Sequence, residues 1–387
     1  MTKEMYDLRS GMLGWNWCPH NIILNERFRL KVASSVMFDW AHVYVNDGLA
    51  DTEMGQCMKT LRSSGATSTY EELGQYVSTF SFPGDAGNIG HLFSTSANTN
   101  NYKKASFTST GSEFLTLTPV LHRYFTKVVA AREQCMPFVL SMLAVLTVVM
   151  MLNAVKTGTI CADELLVAIT AHLNLYRDAY GEDLMRPKHH YALHLPDMLA
   201  RFGFLLSTFT HERKHKVVKR YTRGRLNLKS WALGAIEDIT CHQIFENRSP
   251  FFLAFSTSRP KGKALHGLRE LFPGVADERF TLHNRIKCNG GQSSAGDVVS
   301  CLFEGSMEIG ELFVTVGVLE GSVVTLWSIL SLWKHHGTEA DMSWATYLVS
   351  DNVVKIRTTS IDTVCTYRKS DDRQSCVVHL PYELRPK

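Results

Sequence analysis

The apolar and polar positions of the chain fall into three regimes. In residues 1–48 short β-prone runs dominate, and Phe28-Arg29-Leu30-Lys31-Val32 alternates apolar and basic residues as a half-buried strand would. Val36-Met37-Phe38 and Val43-Tyr44-Val45 follow, the latter ending at the turn signal Asn46-Asp47-Gly48. From about 49 to 247 the apolar spacing lengthens to that of helices, predicted at 112–133, 136–156, 161–180, 189–202, 209–222 and 229–247. Loops are expected at Ser63–Ser68 and Phe82–Thr110, the second rich in Gly, Ser, Asn and Thr. Pro196, near the middle of the fourth helix, should break it. Ser256–Lys263 reads as a linker. After Cys288 the apolar runs Val298–Phe303, Glu311–Val318, Val323–Leu332, Ala345–Val349 and Cys376–Leu380 alternate with turns, which predicts a small β-barrel or meander.

The second helix changes the picture, because Met136–Val155 holds 20 residues without a charge, enough to cross a bilayer. Pro137, Ser141, Thr147 and Asn153 interrupt it, and no aromatic belt flanks it beyond Phe138. A helix apolar all round also suits the centre of a helical bundle, and that reading is preferred to a membrane span. At 387 residues, 45% hydrophobic and 20% charged, the chain has ordinary globular usage, which excludes a wholly disordered, collagenous or coiled-coil protein. Nine cysteines are scattered with no C-x-x-C pair, and the segment MTKEMYDLRSGMLGW lacks the apolar stretch of a secretory signal. Reduced thiols in the cytosol or nucleus are therefore expected.

A net charge of +4, from 41 basic against 37 acidic residues, is too mild to imply a polyanionic partner, so only a local cluster can. One exists. From Arg213 to Lys229 there are eight basic residues (Arg213, Lys214, Lys216, Lys219, Arg220, Arg223, Arg225 and Lys229) and no acid. On a helix these cations fan around Val217, Val218 and Tyr221, as a phosphate-tracking element requires, although a solvated helix face gives the same pattern. Glu212 heads the cluster, and the neighbouring cations favour its ionised form, which a metal ligand needs. Asp39-Trp-Ala-His42 places a carboxylate at the end of a β-prone run. There it suits a hard cation such as Mg²⁺ or Mn²⁺ with His42 orienting it, or serves simply to cap the next turn. The pairs His190/His194 and His211/His215 are each spaced i,i+4, a spacing open to zinc but also to ordinary helix contacts. There is no phosphate-binding glycine loop, dinucleotide fingerprint, nucleophile elbow or H-E-x-x-H.

Taken in order, several of these segments resemble the catalytic region of DDE transposases of the CACTA (En/Spm-like) kind. They are Asp39-Trp-Ala-His42 with Gly48, Pro187-Lys188-His189-His190 through His194-Leu-Pro196, Phe202-Gly203, and Glu212-Arg-Lys-His215. The resemblance covers roughly residues 12–247. It implies an α/β, RNase H-like portion (1–48 and 203–247) with a large all-α insertion (49–202), followed here by a C-terminal β-rich domain (264–387) that resembles nothing known. It further implies that Asp39 and Glu212 bind Mg²⁺ or Mn²⁺ for DNA strand cleavage and transfer, supported by His42 and His215. The insertion also gives the apolar helix a place, as its core. The family's first catalytic Asp should lie some 50 residues or more before Asp39, whereas Asp7, the only candidate, is 32 residues away. The chain thus looks like the C-terminal portion of a transposase, and reads as an inactive or domesticated nuclear DNA-binding protein able to form homo-oligomers. The alternative is a non-enzymatic module for protein or DNA contacts.

Overall fold

The computed structural model describes residues 27, 37–65, 68–84, 89–207, 218–222, 231–248, 253–254, 257–288, 291–321, 323–339 and 343–380. The chain divides between Phe38 and Asp39, and every helix and strand named below lies in the unit Asp39–Lys387. The predicted strand Phe28–Val32 lies outside the described residues. Within them the protein is of mixed helix and sheet, with helices first and an antiparallel sheet after them.

The segment Val43-Tyr44-Val45, expected as a strand, instead belongs to or directly follows helix α1 (Trp40–Tyr44). β-Branched propensity is a weak prior, and here burial overrides it: Trp40, Ala41, Val43 and Tyr44 are all enclosed. The Asn46-Asp47-Gly48 turn joins α1 to α2 (Leu49–Ser63) rather than two strands. It requires its glycine, because a Cβ on Gly48 would lie 2.1 Å from the carbonyl carbon of Tyr44. The helices α3 (Tyr70–Ser78), α4 (Thr95–Lys104), α5 (Gly111–Tyr124), α6 (Met136–Ala154) and α7 (Ala162–Tyr180) follow.

Helix α4 corrects the expected loop Phe82–Thr110. Its sequence TSANTNNYKK has no apolar stripe, and polar groups hold it instead. Ser94 caps it, the buried Asn98 amide donates to Glu71 and to the Phe93 carbonyl, and the buried Asn101 accepts from the Thr108 amide. Helix α5, expected to reach 133, ends at Tyr124 and passes through a π turn (Phe125–Val129) and a 3-10 turn (Ala130–Arg132). The apolar helix α6 is the one described helix long and apolar enough to cross a membrane. Here it packs against α2, α5 and α7, with Val139, Met142, Val145, Leu146, Val149 and Leu152 buried. The predicted 189–202 helix is broken as expected, into α8 (Pro187–Ala192) and α9 (Leu195–Phe202), with Pro196 in the first turn of the second. Of the predicted 209–222 helix only 218–222 is described, and it is helical; α10 (Trp231–Arg248) follows.

The strands are β1 (Leu253–Ala254), β2 (Thr257–Ser258), β3 (Phe280–His283), β4 (Arg285–Cys288), β5 (Gly291–Ser294), β6 (Val298–Phe303), β7 (Ser306–Glu320), β8 (Val323–Thr338), β9 (Trp344–Arg357), β10 (Ile361–Val364), β11 (Tyr367–Lys369) and β12 (Ser375–His379). Pairing starts ahead of the expected boundary at 264, and Ser256–Lys263, read as a linker, holds β2 and the start of α11 (Gly262–Leu271). The main sheet runs β10-β6-β7-β8-β9-β12-β11, with β3 added on β7, and a small sheet runs β1-β4-β5. Alternation puts the two sides of β6 into different cores: Val299 joins Leu312, Leu330 and Ile356, while Val298 joins Ile309, Trp333 and Ala345. The sheet and the helices are joined: Ser81 and Tyr367 exchange backbone hydrogen bonds at 2.8 and 3.1 Å, Arg123 pairs with Glu339, and buried Trp344 packs edge-on against Phe80.

Candidate functional site

Asp39 is the N-cap of α1. One carboxylate oxygen accepts from the Ala41 amide at 3.0 Å, and the other accepts from His42 Nδ1 at 2.5 Å. The capping reading of this residue holds, and His42 lies against the same carboxylate. Its neighbours come from far along the chain. The Trp40 amide donates to the Leu206 carbonyl at 3.2 Å, and α8 packs against α1. Lys188 donates to the Asp47 carbonyl at 2.7 Å, and partial burial holds its ammonium below the usual lysine range. Three segments that carry the family resemblance, around Asp39–Gly48, Pro187–His190 and the chain just past Phe202-Gly203, therefore meet at one corner.

Beneath that corner lies a buried polar network that the sequence reading did not find. Glu53 on α2 is fully enclosed, accepting from Ser141 of α6 through one oxygen and meeting His172 Nε2 of α7 at 2.9 Å through the other. The Tyr44 ring lies 5.9 Å from that of His172, and burial, with Glu53 beside it, pushes its hydroxyl well above the ordinary tyrosine range. Tyr176 donates to Gln56, and its ring stands 4.4 Å from that of buried His189, whose pKa burial lowers to about 4, with His172 adding to the effect. Asp51, only 2% exposed, has its carboxyl raised to about 8 by burial and then by the neighbouring Asp47. The Oδ1 of Asp51, the Nδ1 of His172 and the Nε2 of His189 have no hydrogen-bond partner among the described residues. A signal for the pair existed. Glu53 falls on the stripe Ala50, Met54, Cys57, Met58 and Leu61, and His172 on the stripe Leu165, Ile169, Leu173 and Tyr176, each at helical spacing. An ionisable residue on an apolar stripe in each of two helices is a pair to look for.

Several expected site residues, Glu212, Arg213, Lys214, His215, Lys216, Arg223, Arg225 and Lys229, lie outside the described residues, as does His211. Lys219 and Arg220 are described and exposed on the short helical stretch 218–222. His190 and His194 are brought together, with their Nε2 atoms 3.2 Å apart. Among the described residues no group of three or more His, Cys, Asp or Glu is arranged to hold a metal ion. No family model, curated protein or solved structure matches the chain.

Proposed function

We propose that this is a transposon-derived protein of DDE-transposase descent that binds duplex DNA in the nucleus, inactive or incomplete as a strand transferase. In this reading residues 1–48 and 203–247 are an RNase H-like remnant and the helices between them its insertion. Asp39 and Glu212 are the two surviving carboxylates for Mg²⁺ or Mn²⁺, with His42 and His215 beside them. The Arg213–Lys229 cluster holds phosphates. Strand cleavage through two metals needs a bridging carboxylate besides these two, so DNA binding is the part of the ancestral reaction that the residues named here would support. The observation that carries the reading is the Trp40–Leu206 hydrogen bond. It ties the backbone beside Asp39 to a residue only six positions before Glu212.

The test is salt-dependent binding of the full chain to random-sequence duplex DNA. Engagement of five to eight phosphates gives a slope of log K against log salt of roughly −4 to −7, and K219A/R220A should make it shallower by about two. A slope near zero contradicts the proposal. It would leave the second reading, a protein-contact module or homo-oligomer, which the exposed Leu233, Ile236 and Ile244 on α10 favour.

A further inference from the structure

We infer that His190 and His194 form a two-histidine chelate for a borderline divalent transition cation of the Zn²⁺ class, a site separate from the carboxylate pair proposed above. Zinc–imidazole bonds of about 2.0–2.1 Å at near-tetrahedral angles set two ligand nitrogens about 3.3 Å apart. The Nε2–Nε2 distance is 3.2 Å, the ring centroids lie 4.8 Å apart and the ring planes stand 86° to each other. Imidazole nitrogen selects Zn²⁺, Cu²⁺ or Ni²⁺ over Mg²⁺, so the site and a carboxylate-bound Mg²⁺ would not compete for the same ion.

The backbone around the pair is fixed by packing that involves neither ring. On the α8 side, Lys188 is bound to the Asp47 carbonyl, and the Arg186 amide donates to His189 Nδ1 at 2.8 Å while His189 and Ala192 are buried. On the α9 side Leu195, Pro196 and Leu199 are buried. The turn between them is closed by the Leu193 amide donating to His190 and the His194 amide donating to Tyr191, both at 3.2 Å. Such a preset pair loses little rotamer freedom when a cation takes the place of the contact between the two rings, and water completes the coordination. A bound cation would pin α8 to α9 at the corner that also receives α1.

The experiment is calorimetric titration of the full chain with ZnCl₂, alongside H190Q, H194Q and, as a control, H91Q, which alters an exposed histidine that pairs with Glu113. The inference predicts one site of micromolar strength, unaffected by millimolar Mg²⁺. It predicts weakening by about tenfold or more in H190Q and in H194Q, a loss at least as large as that from removing groups that merely support metal ligands. H91Q should bind as the unaltered chain does. Circular dichroism confirms that each variant is folded. As a check independent of substitution, Zn²⁺ should shift only two histidine Cε1–H resonances of the unaltered chain. Absence of binding below millimolar Zn²⁺, or equal binding by all four proteins, overturns the inference.

Discussion

The helical region and the sheet bury polar groups in opposite ways. Among the described residues, the helices enclose Asp51, Glu53, His172 and His189, which are ionisable. The sheet encloses hydroxyls and thiols and, of the Asp, Glu, His, Lys and Arg side chains among the described residues, only His283. Its clearest polar contact is a row of buried hydroxyls, in which Ser328 lies 3.4 Å from Thr315 and 3.0 Å from Thr358. Burial pushes the thiols of Cys301, Cys365 and Cys376 up to about 12, so they stay protonated and inert. Neutral buried groups that satisfy one another serve to fix strand register. Buried charge is costly to hold and concentrates where chemistry or switching occurs. The contrast places the buried ionisable side chains in the helices and mutually bonded hydroxyls in the sheet.

The largest break in this contrast should come from Glu53→Ala. It leaves His172 and Ser141 enclosed without their acceptor, and each buried polar group left without a partner costs about 1–3 kcal/mol. Chemical denaturation should record that loss; a change under about 1 kcal/mol would mean that the network is not holding α2, α6 and α7 together.

Next in size is the pH response of Asp51. The folded chain keeps this proton up to about pH 8, whereas the unfolded chain releases it near 3.8. Between those values the folded state binds more protons, so the contribution of Asp51 is fully present below pH 3.8 and is lost as pH rises through 8. Between pH 4 and 6.5 buried His189 works in the opposite direction, so the fall should show between pH 6.5 and pH 8, by at most about 1.4 kcal/mol per unit, and Asp51→Asn should flatten it. A wild-type chain equally stable at both pH values would show that Asp51 is not held protonated.

In the sheet, Ser328→Ala should cost only about 1 kcal/mol, with no pH dependence, because neutral hydroxyls lose one modest hydrogen bond each. Smallest is the cap. Asp39→Ala should cost about 1 kcal/mol and Asp39→Asn a few tenths, since asparagine also caps α1. An asparagine variant as damaging as alanine would show that the charge shared with His42 matters more than the cap.

Much of the fold was legible because burial follows period. The central strands Val298–Phe303 and Val323–Leu332, helix α7 and the break before Pro196 all carry their pattern in the sequence. Helix α4 does not, since buried Asn98 and Asn101 take the place of an apolar stripe. Helix α1 does not either, since its β-prone run is enclosed from several sides. Of the candidate site, Asp39 with His42 could be read from adjacency. The contact of α8 with α1 and the Glu53–His172 pair could not, because they join residues more than 100 positions apart.

The central claim is that Asp39 and Glu212 belong to one metal site on a DNA-binding remnant. A crystal structure of the full chain grown with Mn²⁺ tests it most directly. The account predicts the two carboxylates within about 4–8 Å of each other, with manganese anomalous density between them, as ligands of a shared site require. Carboxylates well beyond that range, with no manganese at Asp39, would contradict it and leave Asp39 as the cap of α1 alone.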